Sequence, residues 1–222
     1  MVVFDMAGTT VNENNVVYKT LQQAINAKGF DISLPQVLAA GAGKEKLQAI
    51  KSILSVYVEK EDDQLSEAIY QDFLPRLAKA YDTIDIFPQD NAVALFRALK
   101  KRGILVVLNT GYGAVTAQSL ISKLGWKKGV DIDGVITASD VKNSRPDPAM
   151  ILLAMLQFGI MDPGEVIKVG DSVIDIEEGR AAGCRFSIGI TTGAHTRDQL
   201  ESAAPDYVIN NLLDLLPVVY QQ

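Results

Sequence analysis

Apolar residues along this chain fall into short continuous runs separated by stretches with helical spacing. The run Val2–Phe4 predicts a strand over 2–5 that delivers Asp5 at its end. Over 14–28, Val17, Leu21, Ala24 and Ile25 recur at helical intervals, and Gly29 supplies a stop. Residues 44–58 and 61–81 carry the same period. Between 12 and about 83 no alternating strand pattern is found, so this block reads as an all-helical insertion. Beyond it, FPQDNAVALFRALKKRG predicts a helix over 89–102 and ILVVLNTG a buried strand. GAVTAQSLISKLG, DPAMILLAMLQFG and DIEEGRAAG read as helices, alternating with strands in GVITASD, EVIKVGD and CRFSIGITTG. DYVI predicts a last short strand and NNLLDLLPVV a last helix.

Strands alternating with helices imply an α/β fold, a Rossmann-like doubly wound parallel sheet with helices on both faces. The expected division is a core of 1–11 plus 84–222 and an inserted helical unit of 12–83. In such sheets the ligand site lies beyond the carboxyl ends of the strands. The residues just after each apolar run are therefore the candidates for chemistry: Asp5, Asn109-Thr110-Gly111, Asp140 with Arg145 beyond it, and Gly170-Asp171-Ser172.

Composition narrows the classes. A chain of 222 residues with 48% hydrophobic and 22% charged residues can bury a full core. The net charge of −6 argues against a nucleic-acid partner, which needs a basic face. One cysteine, Cys184, excludes an internal disulfide and fits a reducing, cytoplasmic setting. No apolar run approaches membrane-spanning length, and no charged start precedes a leader-like stretch, so neither a membrane nor a secretory signal is expected. The chain starts almost inside its first strand, and a few native residues before Met1 are expected.

Asp5 together with Asp171 and Asp175 of GDSVID makes a hard, oxygen-rich set suited to Mg²⁺, which would offset their mutual repulsion and clamp a phosphoryl oxygen. The competing reading is that Asp171 and Asp175 cap a helix. Thr110 and Gly111, between a buried strand and a helix, offer a hydroxyl and backbone N–H groups to an anion, or form an ordinary capped turn. Arg145 in NSRPDP has a fork suited to phosphoryl oxygens, or is a solvated loop arginine.

In order and placement these pieces resemble the haloacid dehalogenase superfamily. DMAGTTV, NTGYG, Arg145 in RPDP and VGDSVIDIEEGRAAG are similar to its phosphonatase-like (phosphonoacetaldehyde hydrolase-like) branch. The resemblance implies that Asp5 attacks phosphorus and forms an aspartyl-phosphoryl intermediate. It implies Mg²⁺ held by Asp5, the Ala7 carbonyl and Asp171, with Asp175 supporting from behind, and a phosphoryl group held by Thr110, Gly111 and Arg145. It also implies that the inserted unit is a cap closing over the strand ends, and that two chains pair through their caps as a homodimer.

Enzymes that transfer phosphoryl groups through an aspartate commonly carry a second acid two residues on; here that position is Ala7. A monoester releases an alkoxide, for which a general acid contributes about 10²–10⁴-fold. A phosphonate has a carbon leaving group, which needs an electron sink instead. A lysine condensed with the adjacent carbonyl is such a sink. By resemblance, the cap carries a glycine, two residues, then the Schiff-base lysine; Gly43-Lys44-Glu45-Lys46 fits and selects Lys46, whereas starting from Gly41 would select Lys44. The competing reading of KEK is a solvated helix face. Ala49 and Ala42 stand where true phosphonatases have a histidine and a methionine, which points to a relative with a different 2-oxoalkylphosphonate substrate. The expected reaction is cleavage of a small-molecule phosphonate, phosphonoacetaldehyde or a related 2-oxoalkylphosphonate. An Mg²⁺-dependent phosphatase of small monoesters and a silent phosphate-binding or regulatory protein are the alternatives. His195 is expected to be surface or structural, and Cys184 and Trp126 to serve in packing.

Overall fold

The computed structural model describes residues 1–59 and 61–220. Eighteen elements organise the argument in chain order: β1 (Val2–Phe4), β2 (Val11–Asn12), α1 (Val16–Asn26), α2 (Leu34–Gly41), α3 (Lys46–Val58), α4 (Asp63–Thr83), β3 (Phe87–Pro88), α5 (Ala92–Lys101), β4 (Val106–Thr110), α6 (Ala114–Leu124), β5 (Gly134–Thr137), α7 (Ala149–Phe158), β6 (Ile167–Gly170), α8 (Val173–Ala181), β7 (Phe186–Ile190), α9 (Arg197–Ser202), β8 (Tyr207–Ile209) and α10 (Leu215–Tyr220).

Six strands form one sheet in the order β5-β4-β1-β6-β7-β8, and every pair is parallel. The chain winds outward from β1 in one direction through β4 and β5, then returns to the other side of β1 for β6, β7 and β8. That reversal makes β1 the switch point, and a ligand crevice opens at its carboxyl end. Because strand side chains alternate, Val2 and Phe4 join Val106 and Leu108 in one core, while Val3 joins Val107 and Ile136 in the other. Helix α5 buries Ala92, Leu95, Phe96 and Leu99 at helical spacing, and Phe96 meets Phe4 with ring centroids 5.6 Å apart. Helix α7 covers the opposite face with Met150, Ile151, Ala154 and Met155. This is the doubly wound parallel sheet that the alternation of strands and helices predicts, with an inserted helical cap.

In the inserted segment α1 packs on α4 and α2 on α3. Helix α1 buries Val17, Leu21, Ala24 and Ile25, the residues that the helical period selects. The segment leaves and rejoins the sheet region through a two-stranded antiparallel ribbon, β2 with β3, in which Val11 faces Pro88. The sequence pattern does not reveal this ribbon, because each strand is two residues long. It also misses α2, although Ser33, Pro35 and Gln36 form a capping box with a proline in the first turn. The short α9 escapes in the same way, despite the Thr196–Gln199 capping box. The strand expected over GVITASD stops at Thr137, because Thr137 and Asp140 cap a turn of 3₁₀ helix there. Among the described residues no helix is long and apolar enough to cross a membrane.

Candidate active site

Asp5 follows β1 directly, and its N–H donates to the Val169 carbonyl at 2.9 Å, so the sheet itself fixes its position. The chain then turns back tightly. Val11 N–H donates to Met6 O at 2.7 Å, and the Thr10 hydroxyl donates to Asp5 O at 2.8 Å. Gly8 makes this turn with φ of +80°, and a Cβ there would collide with the Asp171 carboxylate. Glycine thus meets both a backbone and a space requirement.

From the neighbouring strand ends come Thr110 of β4 and Asp171 after β6. The Thr110 hydroxyl accepts the Tyr112 N–H at 3.2 Å. Asp171 accepts the Ala194 N–H at 2.6 Å. From the loop after β5, Arg145 reaches the ends of β1 and β4 and helix α8. Its Nη1 donates to Asp5 Oδ1 at 2.6 Å, and its Nη2 donates to the backbone and side-chain oxygens of Asn109, each at 2.7 Å. Its side chain is only 1% exposed, so it is a buried cation and not a solvated loop arginine.

Behind this front row lies a charge network that sequence reading missed. Lys168 of β6 is fully buried and donates to Asn109 Oδ1 at 2.6 Å. It lies 3.0 Å from Asp175 and 3.2 Å from Glu178, both of α8. Glu178 accepts twice from the Asn109 amide, at 2.8 and 2.9 Å, and lies 3.1 Å from Arg145. The available signal was a lysine inside an otherwise apolar strand that is covered on both faces, where a charge must be paired.

Asp175 lies behind Asp5 and Asp171 and is engaged by the protein's own groups. Its Oδ2 accepts the Ser172 hydroxyl at 2.6 Å in a capping box, and its Oδ1 lies 3.0 Å from both Arg145 and Lys168. Capping, the competing reading, describes one of its two oxygens. Among the described residues no group of three His, Cys, Asp or Glu is arranged to hold a metal alone.

The electrostatics nevertheless favour a cation. Arg145 and Lys168 pair with the buried Asp5, Asp175 and Glu178, Lys46 is a third buried cation on the same cavity, and Asp171 is a fourth buried carboxylate. Burial, reinforced by Asp5 and Asp175, pushes Asp171 well above the usual carboxylate range. Burial also raises Asp5, although Arg145 opposes it. For Asp175 burial acts in the same direction, but Arg145 and Lys168 together hold it below its ordinary value. Asp5, Asp171 and the Ala7 carbonyl offer the all-oxygen donor set that Mg²⁺ prefers, with an excess of negative charge for it to offset.

The cap supplies the last group. Glu45 caps α3 by accepting the Leu47 and Gln48 N–H groups at 3.0 Å, which starts the helix at Lys46 and turns that side chain inward. Lys46 is buried, and its Nζ donates to Lys44 O at 2.7 Å. The ammonium also sits 5.3 Å from the Tyr18 ring centroid and 5.6 Å from that of Tyr112. Burial lowers its pKa to about 8, with Asp5 opposing. Lys44 instead donates to Ser52 at 2.9 Å on the cap.

Asp5, Thr110, Gly111, Arg145, Asp171 and Lys46 thus line one cavity, together with Ala7, and Lys44 does not. Its free volume is about 10 Å³, room for about one water molecule. The closed arrangement depends on close backbone approach. A Cβ on Gly111 would come within 3.0 Å of Lys44 O, and one on Gly43 would strike Ser172. His195 adds a clasp across the same seam. Its Nδ1 accepts the Val173 N–H at 3.0 Å, and its Nε2 lies 3.3 Å from Leu38 O of the cap. It is buried and structural, not on the surface. Glu13, also missed in the sequence, is buried at the start of the cap; it accepts the Val17 N–H at 3.0 Å, and burial raises it to about 7. Trp126 packs edge-on against Phe96, and Cys184 lies against the second core.

A family model described as haloacid dehalogenase-like hydrolase matches residues 1–183. A phosphonoacetaldehyde hydrolase of Bordetella pertussis is 30% identical, with 98% of this chain and 90% of that protein covered. A phosphoglycolate phosphatase of Photorhabdus laumondii is 25% identical over 98% of this chain and 91% of its own length. Among solved structures, a hydrolase from Pseudomonas syringae superposes with a TM-score of 0.85 at 22% identity, covering 97% of this chain and 95% of that one, a likeness of fold.

Proposed function

The chain belongs to the haloacid dehalogenase-like hydrolases, and from that premise we propose that it cleaves the carbon–phosphorus bond of phosphonoacetaldehyde or a related 2-oxoalkylphosphonate. One observation carries the reading: a buried lysine, Lys46, shares a cavity with Asp5 while the acid position two residues after Asp5 holds alanine. The likeness to phosphonoacetaldehyde hydrolases supports it.

In this reading residues 12–83 are the cap and 1–11 with 84–222 the core, joined through the β2–β3 ribbon. The neutral Lys46 amine adds to the substrate carbonyl and, with one proton taken up from solvent, expels water to give a protonated imine. The Asp5 carboxylate then attacks phosphorus. The electron pair of the C–P bond moves toward the imine, leaving a neutral enamine and an aspartyl phosphate. The enamine takes a proton at the carbon that bore phosphorus, and water releases the aldehyde or ketone and frees Lys46. A second water hydrolyses the aspartyl phosphate to inorganic phosphate. No acid is needed at position 7, because no alkoxide departs.

Arg145 holds the Asp5 carboxylate in line and, with Thr110 and the Gly111 N–H, receives the phosphoryl oxygens. Lys168, Asn109, Asp175 and Glu178 keep Arg145 in place. Mg²⁺, held by Asp5, Asp171 and the Ala7 carbonyl, would supply charge neutralisation for the phosphoryl group.

The test is a substrate panel. Phosphonoacetaldehyde and 2-oxopropylphosphonate are compared with p-nitrophenyl phosphate and small phosphate monoesters, and both phosphate and carbonyl product are measured. The expected result is equimolar phosphate and carbonyl from the phosphonates, at kcat/KM well above that of any monoester. Faster turnover of monoesters would overturn the reading in favour of a phosphatase, the direction to which the phosphoglycolate phosphatase likeness points. Mg²⁺ binding without turnover of either class would leave a silent phosphate-binding protein.

A further inference from the structure

Next to the Asp5 cavity, and sharing Lys46 with it, lies a recess of about 140 Å³. Its walls are Phe73, Leu74 and Leu77 of α4 on the cap side and Tyr112 and Thr116 on the core side. Lys46, Gly111 and Tyr112 border both spaces. The Asp5 cavity is ringed by buried charges, whereas the recess has an apolar wall on α4 and polar groups, Thr116 and Ser139 among them, on the core side.

We propose that the recess is a subsite for an apolar alkyl group, and hence that the compound cleaved is a ketone, a 2-oxoalkylphosphonate with a chain beyond the carbonyl. This rests on the reading of Lys46 as the imine-forming residue. A carbon bound to Lys46 Nζ carries two substituents besides nitrogen. One is the CH₂ that leads to phosphorus and must run toward Asp5. In an aldehyde the other is hydrogen, which leaves the recess without contacts. In a ketone it is a carbon chain, and the recess adjoins the amine that would hold it. A volume of about 140 Å³ has room for a short chain of about two to four carbons, laid along the apolar wall of Phe73, Leu74 and Leu77. The charged group at its rim besides Lys46 is Glu45, which disfavours a chain ending in a carboxylate. The chemistry is the balanced sequence given above, with a methyl ketone as the carbon product.

The experiment measures kcat/KM for phosphonoacetaldehyde and for 2-oxopropyl-, 2-oxobutyl- and 2-oxopentylphosphonate, reading phosphate and methyl ketone. Burial of each added methylene should raise kcat/KM by roughly fourfold from the propyl to the pentyl compound. Leu74 is 40% exposed, so Leu74→Trp can narrow the recess without entering the core. That variant should bring the pentyl-to-propyl ratio close to one. If phosphonoacetaldehyde or 2-oxopropylphosphonate is cleaved but kcat/KM is flat or falls along the ketones, the subsite is overturned and the lysine reading stands. An unchanged ratio in folded Leu74→Trp would overturn it as well. If none of the four phosphonates releases phosphate, the subsite and the lysine reading fall together.

Discussion

Nη1 of Arg145 lies 2.6 Å from Oδ1 of Asp5, which joins the end of the first strand to a loop 140 residues further along the chain. The same guanidinium spans Asn109, Asp175 and Glu178, so four residues from two neighbouring strands and one helix are tied at a single side chain. A point charge on a flexible stem cannot reproduce that fork.

Arg145→Lys should therefore lower kcat/KM by at least about 10²-fold on any phosphoryl substrate. It should also destabilise the fold by about 1–3 kcal/mol, because buried acceptors lose their partners. Steady-state kinetics with urea denaturation of the same preparation checks both effects. Activity within a few-fold of the parent protein would show that Arg145 does not orient Asp5.

The proposed reading places Mg²⁺ against Asp5, Asp171 and the Ala7 carbonyl. Activity should disappear after EDTA treatment and return with Mg²⁺. Because the ion binds the folded chain, Mg²⁺ at about a hundred times its Kd should add about 2.7 kcal/mol to stability. Asp171→Asn should lose that stabilisation. Full activity in metal-free protein, or an undiminished Mg²⁺ response in Asp171→Asn, would remove Asp5 and Asp171 as its ligands.

The Lys46 amine must be neutral to attack a carbonyl, and burial has brought its pKa down to about 8. Phosphonate cleavage should rise about tenfold per pH unit below that value and level off above it. Monoester hydrolysis, which does not use the amine, should lack this limb. The stability effect has a definite sign. The unfolded chain holds this proton up to the ordinary lysine value of 10.5, and the folded chain releases it near 8. Between the two the unfolded state binds more protons, so the destabilisation due to Lys46 is full below about 8 and is relieved as pH rises toward 10.5. Lys46→Met should thus stabilise the protein more at pH 7 than at pH 10, which urea denaturation at the two values measures. A larger gain at pH 10 would contradict the buried, depressed lysine.

Much of this was legible in the chain. The strand runs and their helical partners announced the parallel sheet, and the rule that ligands bind beyond strand ends led to Asp5, Thr110, Gly111 and Asp171. Period reading cannot see very short elements. The β2–β3 ribbon and α9 give no periodicity to detect, and only cap signals at Ser33 and Thr196 mark the helices that were missed. Nor can it see pairing across the sheet. Lys168 reads as a strand lysine and Glu178 as a helix-surface acid, until folding brings them to Arg145 and Asp175. The choice between Lys44 and Lys46 is of the same kind. Two residues of sequence separate them, but the Glu45 cap turns one side chain toward Tyr18 and Tyr112 and leaves the other bonded to Ser52.

The account turns on a covalent bond at Lys46, and reductive trapping tests it most directly. Borohydride added with phosphonoacetaldehyde or 2-oxopropylphosphonate should reduce the imine, inactivate the protein and leave one adduct per chain. Peptide mass spectrometry should find that adduct on Lys46, and Lys46→Arg should neither trap nor cleave phosphonates. An adduct on Lys44, or phosphonate cleavage by Lys46→Arg at the parent rate with no adduct at all, would contradict it.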